Sequence, residues 1–506
     1  MRLITTLMLS GAMAVRPGAV QAQDPLRGFD RYVAEAVRTW EAPGLAIGVV
    51  KSGEVVFAKG YGVLELGKAA PVTTRTMFAN ASTTKAFNAL AIAMLVDDGL
   101  LDWDDRVADH LPHFAMSDPY VTSEVRVRDL LSHRVGFGDP QYLWYGKDDT
   151  LDEMLRRLQH VEPRSSFRSR YAYNNIAVAA AGTIAGRVSG AGWDALVHDR
   201  ILAPLGMTST VTRARDLPAS AEIAVTHGRV NGQVVPIRVW GLVDSIPAAG
   251  SMYSNVDDMT KWIRFLLDEG RVADDTLVSR ASFDELFQPQ TIIRPGQSYP
   301  TESRTRPHFV AYGLGWFLQD YRGHKIAFHT GSIDGTVAIV GLLPALELGV
   351  VVFANRDHVE VRHALMLQVF DRFIGAPVRD WNAELTVLYD SLAAESRSTM
   401  DRLRESRIEG TEPRLALDAY AGDYRDSLYG RVTVSVEDGH LVLRASDYLT
   451  ADLQHFQFDT FEARWRHRWL GSDPVTFAFG GGGTVTGLRI GEEGGERYRR
   501  VEREDK

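Results

Sequence analysis

Ser82 and Lys85 stand three residues apart at the start of a strongly apolar stretch, in the segment from Phe78 to Gly99. The apolar residues after Lys85 cover every side of a helical projection, which predicts a buried helix that ends at Gly99. Residues three apart share one helix face, so the hydroxyl and the amine can touch. A serine becomes a nucleophile when a neighbour takes its proton, and burial favours the neutral amine that can do so. The pair predicts acyl-transfer chemistry, although a helix-capping serine near a solvated lysine has the same spacing.

Two further polar clusters stand directly before or within apolar segments. Tyr173-Asn174-Asn175 precedes an alanine-rich stretch that is typical of a buried helix, and His329-Thr330-Gly331 lies inside a β-type run. Polar groups that lead into so apolar a helix need hydrogen-bond partners. Both clusters are therefore candidates for a functional site.

The elements that must position these groups come from distant parts of the chain. Strand-type runs occur at residues 45–61 and again at residues 325–354, with helices and long loops between them. A single antiparallel sheet built from both sets of strands, with the helices inserted, places Ser82, Tyr173 and His329 around one cleft. Clefts of this kind usually bind substrates.

Composition excludes several classes of function. The 506 residues carry a net charge of −9 and no run of like charges, so we expect no nucleic-acid partner. The chain has no cysteine, which excludes disulfides, thiolate catalysis and cysteine-ligated metal. It also lacks an H-E-x-x-H motif, an acidic metal loop, a nucleotide loop and a G-x-S-x-G elbow. We expect a small-molecule or peptide substrate and neither metal nor cofactor.

The first 22 residues have the features of a secretory signal peptide. Arg2 precedes an apolar run, and Val20-Gln21-Ala22 offers a small-residue cleavage site. This predicts a periplasmic or secreted protein. Arg16 is unusually close to the apolar run, so an uncleaved anchor, with membrane association, is the alternative.

The remaining chain divides into three predicted parts. Residues 23–376 hold the three polar clusters, residues 377–411 form a polar helical linker, and residues 412–506 contain short strands separated by Gly and Asp turns. The last part predicts a small all-β accessory domain, either a barrel or a curled sheet.

In their order along the chain, Ser82-Thr-Thr-Lys85, Tyr173-Asn-Asn175 and His329-Thr-Gly331 resemble the motifs of the penicillin-recognising serine hydrolases. Within these, the chain is similar to the group of class C β-lactamases, D-aminopeptidases, D-alanyl-D-alanine peptidases and family VIII esterases. The likeness covers roughly residues 26–373. It implies an α+β, β-lactamase-like fold, in which an antiparallel sheet is flanked by helices and carries an inserted, mainly helical region.

The resemblance also implies catalytic roles. Ser82 would be the acylated nucleophile, and Lys85 and Tyr173 would be the proton-transfer pair, with a nearby ammonium making the phenol easier to ionise. Asn175 would donate to the substrate amide, and the backbone N–H groups of Ser82 and Ser332 would form the oxyanion hole. A buried core tyrosine is the alternative for Tyr173.

The third motif departs from the best-known members of the group. Class C β-lactamases and D-alanyl-D-alanine peptidases have a lysine where this chain has His329, and the lysine charge helps to hold a substrate carboxylate. Histidine is mostly neutral at pH 7, which predicts a weaker, pH-dependent grip on carboxylates. Thr330, Gly331 and Ser332 would still present a strand edge to a peptide. A strand histidine without substrate contact is the alternative for His329.

We therefore expect an exported serine hydrolase that forms an acyl-enzyme on Ser82 with an amide of a peptide or peptide-like substrate, including D-residue or nonribosomal peptides. A short-chain carboxylesterase, a weak β-lactamase or a D-alanyl-D-alanine carboxypeptidase remains open. A slowly acylating penicillin-binding sensor is a lesser alternative, since such a protein has no need for every proton-transfer group.

Overall fold

The computed structural model describes residues 24–492 and 495–501, so the predicted signal peptide at residues 1–22 lies outside the described residues. The strands before the C-terminal region are, in chain order, β1 (Gly44–Lys51), β2 (Glu54–Gly62), β3 (Phe78–Ala79), β4 (His227–Val230), β5 (Gln233–Pro236), β6 (Tyr253–Ser254), β7 (Arg271–Val272), β8 (Asp275–Thr276), β9 (Thr291–Ile293), β10 (Val310–Tyr312), β11 (Phe317–Tyr321), β12 (His324–Ile333), β13 (Thr336–Leu343) and β14 (Leu348–Ala354).

The α-helices of the described residues are α1 (Phe29–Thr39), α2 (Thr84–Asp97), α3 (Val107–His110), α4 (Pro119–Glu124), α5 (Val127–Leu131), α6 (Leu151–Arg157), α7 (Asn175–Val188), α8 (Trp193–Val197), α9 (Pro247–Gly250), α10 (Val256–Leu267), α11 (Arg280–Leu286), α12 (Glu302–Thr305), α13 (Val361–Ile374) and α14 (Trp381–Glu405). In residues 24–492 and 495–501, each helix is too short or too polar to span a bilayer.

Strands from both ends of the first region form one antiparallel sheet, in the order β2-β1-β14-β13-β12-β11-β10-β9. The early strand β1 pairs with β14, so the expected sheet of sequence-distant strands is confirmed. The strands β13 and β14 are buried along their whole length, as their uninterrupted apolar runs predict. Helices α1 and α13 cover one face, and the helical region that contains α2 and α10 covers the other.

The helix that follows Ser82 is at the centre of the helical region. Twelve of the fourteen residues of α2 are buried, which agrees with the absence of a polar face in its sequence. Phe87 stacks on Trp262 of α10 with ring centroids 4.0 Å apart. Burial on all sides fixes the start of α2, and with it the Ser82 turn, relative to the sheet.

The C-terminal strands form a closed eight-stranded antiparallel barrel, so the predicted β-barrel is confirmed. Its strands are β15 (Gly422–Asp426), β16 (Gly430–Glu437), β17 (His440–Arg444), β18 (Thr450–Gln457), β19 (Thr460–Trp465), β20 (Ser472–Phe479), β21 (Val485–Ile490) and β22 (Glu496–Arg500). Side chains fill its interior: Tyr420 lies edge-on to Phe461 and Phe477, and its hydroxyl donates to Asp459 at 2.5 Å.

The helix α14, which the sequence predicts as a linker, begins as part of the first region. Trp381 and Leu385 are fully buried in the same core as α1 and α13. The Trp381 indole donates to the Asp371 carboxylate at 2.8 Å. The first turns of α14 are therefore anchored to the sheet region, and its later turns lead to the barrel.

Candidate active site

Ser82 lies in a tight turn between a short strand and a long helix. A 3-10 turn, Ala81–Thr83, connects β3 to α2. Ala81 has a φ of 45°, a left-handed conformation that costs energy in a residue with a Cβ. Ser82 itself is half-exposed, while its neighbours in the turn are buried. The turn thus presents the predicted nucleophile to solvent from a rigid support.

The Lys85 amine contacts three oxygen atoms and is almost fully buried, with 1% of its surface exposed. Its Nζ lies 2.9 Å from Ser82 Oγ, 2.7 Å from Asn175 Oδ1 and 2.7 Å from the Ala249 carbonyl. Burial lowers the pKa of Lys85 to about 7, and the Asp139 carboxylate opposes this shift. A large share of Lys85 is therefore neutral at pH 7.

The neutral amine has only one orientation that satisfies these contacts. The carbonyl oxygens of Asn175 and Ala249 can only accept hydrogen bonds, so they take the two N–H groups of a neutral Lys85. The remaining lone pair then points to Ser82 Oγ. In this state Lys85 is positioned to accept the Ser82 proton.

The orientation of the Asn175 amide is fixed from its other end. Its Nδ2 donates to Asp139 Oδ2 at 2.8 Å, and its backbone N–H donates to Asp139 Oδ1 at 2.9 Å. The Trp144 indole donates to the same carboxylate at 3.1 Å. Because a carboxylate faces Nδ2, the oxygen of the amide must face Lys85. This geometry uses Asn175 to orient the amine, whereas the sequence predicts a donor to the substrate.

Tyr173 lies beside both members of the pair. Its hydroxyl lies near the Ser82 side chain, and Lys85 Nζ lies 4.9 Å from the centre of its ring. The His133 ring packs against it at 4.3 Å. Burial raises the pKa of Tyr173 well above its ordinary value, and the Ser82 side chain opposes this shift only in part, so the easier ionisation that the resemblance implies has no support in this environment. Tyr173 is therefore a neutral phenol, and Lys85 is the better base.

The third motif lies on the part of β12 that has no partner on one side. The pairing of β11 with β12 ends at Phe317 and Phe328, so the edge from His329 to Ile333 is open there. A Cβ at Gly331 would overlap the Asn80 carbonyl, which shows that the strand passes directly against the Ser82 turn. Glycine is the residue that permits this approach.

Arg362 of α13 forms hydrogen bonds with this part of β12. Its guanidinium donates to the Gly331 carbonyl and, at 2.8 Å, to Ser332 Oγ. It also pairs with the Glu360 carboxylate at 2.8 Å, and all of these groups except Ser332 are buried. The Arg362 charge is thus neutralised by a buried partner.

His329 is buried, and both of its ring nitrogens contact other groups of the protein. Nε2 lies 2.8 Å from the Tyr312 hydroxyl, and Nδ1 lies 2.6 Å from the Thr330 carbonyl. Burial, with a smaller contribution from the Lys85 charge, lowers the pKa of His329 to about 3. The imidazole is therefore neutral throughout the physiological range, and the pH-dependent grip that the sequence suggests has no support in this environment.

The Thr330 hydroxyl is also engaged by the protein. It is hydrogen-bonded to the Tyr299 hydroxyl, and the Tyr299 ring packs against Phe317 and His363 at 5.4 and 4.8 Å. Residues 292–308, a Pro- and Arg-rich stretch without helical or strand periodicity, contain the end of β9, the helix α12 and a packed tyrosine. Tyr299 covers part of the open β12 edge.

The structure thus brings Ser82, Lys85, Tyr173 and Asn175 into direct contact, with the β12 edge alongside. Sequence reasoning missed four residues that complete the site: Asp139, Tyr299, Tyr312 and Arg362. Asp139 precedes a proline in a loop and has no motif around it. Its only sequence signal is that a buried Tyr-Asn-Asn cluster requires a partner.

Comparisons with known proteins agree with this geometry. Residues 29–369 match the family model described as Beta-lactamase, and residues 406–501 match a domain of unknown function, DUF3471. The unguisins hydrolase ungD of Aspergillus violaceofuscus is 29% identical over 480 residues, which are 87% of this chain and 83% of that protein. Penicillin-binding protein 4 of Amycolatopsis lactamdurans is 30% identical over 322 residues, which are 61% of this chain and 80% of that protein.

A solved structure has a similar fold over most of the chain. The octameric penicillin-binding protein homologue from Pyrococcus abyssi matches with a TM-score of 0.61 and 21% identity, covering 94% of this chain and 100% of that chain. At this identity the likeness concerns the fold.

Proposed function

This chain belongs to the β-lactamase family and is a serine hydrolase, and we propose that it cleaves amide bonds of peptides or peptide-like molecules through an acyl-enzyme on Ser82. The observation that carries the proposal is the contact of Lys85 Nζ with Ser82 Oγ at 2.9 Å, made by a buried amine whose pKa is about 7. A base of this pKa is half-neutral at neutral pH and still returns a proton effectively.

The proposed reaction has two halves. In the first, the Ser82 proton passes to the Lys85 lone pair while Oγ bonds to the substrate carbonyl carbon, and the backbone N–H groups of Ser82 and Ser332 stabilise the resulting oxyanion. The C–N bond then breaks, the leaving nitrogen takes the Tyr173 hydroxyl proton, and the Lys85 ammonium restores that proton. In the second half, water attacks the ester carbon while its proton passes to Lys85; the bond from carbon to Ser82 Oγ then breaks, and Oγ takes the proton from the Lys85 ammonium. The products are an amine and a carboxylic acid.

Three features favour substrates without a carboxylate beside the scissile bond. His329 is neutral, and the Arg362 charge is paired with Glu360, so neither offers a free cation on the β12 edge. The Asp139 carboxylate adds negative charge near Lys85. The interior of a peptide or an amide derivative suits these charges better than a molecule with a free carboxylate.

The open edge of β12 supports a peptide-like substrate. The segment from His329 to Ile333 has no strand beside it on the β11 side and lies next to the Ser82 turn, where an extended peptide can add as a further strand. Two of its carbonyls, those of Thr330 and Gly331, already contact His329 and Arg362. The similarity to hydrolases of unguisins and to a penicillin-binding protein is consistent with peptide-like substrates, including those that contain D-residues or are made nonribosomally.

The test compares D-alanyl p-nitroanilide, p-nitrophenyl butyrate and benzylpenicillin as substrates of the full chain. We expect turnover of the anilide and only slow acylation by the penicillin. Ser82→Ala should lower turnover by roughly 10⁴-fold, while Ser123→Ala, at an exposed serine outside the site, should not change it. A strong preference for the butyrate would instead make the protein an esterase, and full activity of Ser82→Ala would refute the mechanism.

We also propose that the protein is exported, which rests on the charged start, apolar run and small-residue site of residues 1–22. The absence of cysteine suits an oxidising compartment, because no thiol is available for mispairing. The mass of the protein recovered from the periplasm or the medium should correspond to a chain that begins near Gln23. Recovery of the whole chain from the cytoplasm would contradict export.

A further inference from the structure

The carboxylate of Asp334 joins the barrel to the active site. Asp334 lies in the turn between β12 and β13, two residues after Ser332. Its Oδ2 accepts hydrogen bonds from the hydroxyls of Tyr145 and Tyr448, both at 2.6 Å, and from the indole of Trp469 at 3.0 Å. Tyr448 and Trp469 belong to the barrel region, whereas Tyr145 belongs to the helical region. We call these four residues the Asp334 clasp.

The clasp is tightly packed. The Tyr145 and Tyr448 rings meet edge to face at 5.8 Å, and His467 stacks between Tyr448 and Trp469 at 4.4 and 4.6 Å. Burial and the neighbouring Asp334 charge raise the pKa of both tyrosines, so the hydroxyls remain donors. Hydrogen bonds from neutral donors to a carboxylate are short and strong.

Glycines on the first region let the barrel side chains come close. A Cβ at Gly146 would lie 2.5 Å from the Tyr448 ring, and one at Gly228 would lie 3.0 Å from the Trp469 side chain. Larger residues at either position would push the barrel away from Asp334. The sequence is therefore suited to this close docking, and not only to a flexible connection between two domains.

Two short routes lead from the clasp to the reacting groups. Along β12, Asp334 is two residues from Ser332, whose backbone N–H is part of the proposed oxyanion hole. Along the other route, Tyr145 follows Trp144, whose indole donates to the Asp139 carboxylate. Asp139 in turn orients Asn175 against Lys85. The Asp334 carboxylate is thus connected by short routes to both the oxyanion side and the base side of the cleft.

From this arrangement we propose that Asp334 is a positioning residue, through which Tyr448 and Trp469 of the barrel set the catalytic geometry of Ser332 and Lys85. The proposal rests on the proposed function, because it takes Ser82 and its partners as the reacting centre. It assigns the barrel a part in catalysis that does not require it to touch the substrate. Loss of the clasp should lower kcat and leave KM almost unchanged, since the contacts that bind substrate remain.

The test uses the full chain with Asp334→Ala, Asp334→Asn and the double variant Tyr448→Phe/Trp469→Phe. Lys147→Met is the matched control, because it removes a different bond between the two regions, from Lys147 Nζ to the Tyr429 carbonyl at 2.5 Å. We measure kcat and KM with p-nitrophenyl butyrate, and hydrogen–deuterium exchange of residues 330–336 and 139–146.

The alanine and double variants should lose about tenfold or more in kcat, with KM within about threefold. Asp334→Asn keeps an acceptor oxygen and should therefore lose less kcat than Asp334→Ala. The kcat of Lys147→Met should stay within about twofold of that of the parent protein. Hydrogen–deuterium exchange of residues 330–336 and 139–146 should be faster in the clasp variants and unchanged in Lys147→Met.

Two outcomes would overturn the proposal: unchanged exchange in the clasp variants, or faster exchange with unchanged kcat. A parent protein whose activity does not depend on Ser82 would instead refute the proposed function. In that case the exchange data alone decide whether Asp334 orders the two segments.

Discussion

The ionisation of Lys85 makes the pH dependence of acylation a sharp prediction. The perturbation is protonation of the amine, which removes the lone pair that faces Ser82 Oγ. Burial lowers the Lys85 pKa from 10.5 to about 7, which corresponds to about 5 kcal/mol at 1.36 kcal/mol for each tenfold change. The side chain is 1% exposed, so solvent screens little of this effect.

The rate of Ser82 acylation should follow the neutral fraction of Lys85. It should be half-maximal near pH 7, where the Lys85 pKa lies, and should fall to about 1% of its plateau by about pH 5. The buried histidines of the site do not obscure this limb, because burial lowers the pKa of His329 to about 3 and that of His133 well below its usual value. A single ionisation should therefore be visible.

The assay is single-turnover acylation by p-nitrophenyl butyrate in buffers of constant ionic strength, with circular dichroism to verify the fold at each pH. Lys85→Met should leave a slow residual rate that lacks this ionisation. A rate that rises about tenfold per pH unit to about pH 9 would mean an ordinary lysine, and a rate independent of pH would exclude Lys85 as the base. Either result would contradict a buried Lys85 of lowered pKa as the base.

Two other substitutions test the β12 edge. Gly331→Ala should lower kcat by about 100-fold and destabilise the fold by about 1–3 kcal/mol, because the new methyl group overlaps the Asn80 carbonyl. Kinetics measure the first effect and melting curves the second. The control is Gly481→Ala, whose new methyl group meets no atom within 4 Å, and it should change neither kcat nor stability. Tyr299→Ala should raise the rate of acylation by benzylpenicillin by about tenfold relative to p-nitrophenyl butyrate, because it uncovers Thr330. Equal effects on both compounds would show that Tyr299 does not select substrates.

Much of the fold follows from local patterns. The apolar runs of β13 and β14 and the apolar sequence of α2 identify these elements as buried. The three motifs, in their order along the chain, indicate a fold in which strands from distant parts of the sequence form one sheet. The turn-rich C-terminal sequence likewise predicts a barrel. The stop of α2 after Asp97 agrees with Gly99, which has a φ of 68° and no atom within 4 Å of a Cβ.

The sequence was less informative about the partners that tune the site. Asp139 meets Asn175 across 36 residues, and Arg362 meets Gly331 across 31 residues, in contacts that only the packed fold creates. The same limit applies to the ionisation of Tyr173, because the amount of burial around a phenol is a property of the whole cleft and sets the direction of the pKa shift. The stretch at residues 292–308 has no periodicity, yet Tyr299 is held there by packing against Phe317 and by a hydrogen bond with Thr330.

The acyl-enzyme on Ser82 can be detected directly by the mass of the protein after brief exposure to p-nitrophenyl butyrate and an acid quench. We expect a mass increase of one butyryl group, located on the peptide that carries Ser82, which is absent from Ser82→Ala and forms slowly in Lys85→Met. A butyryl group on any other residue, or the same labelling in Ser82→Ala, would contradict it.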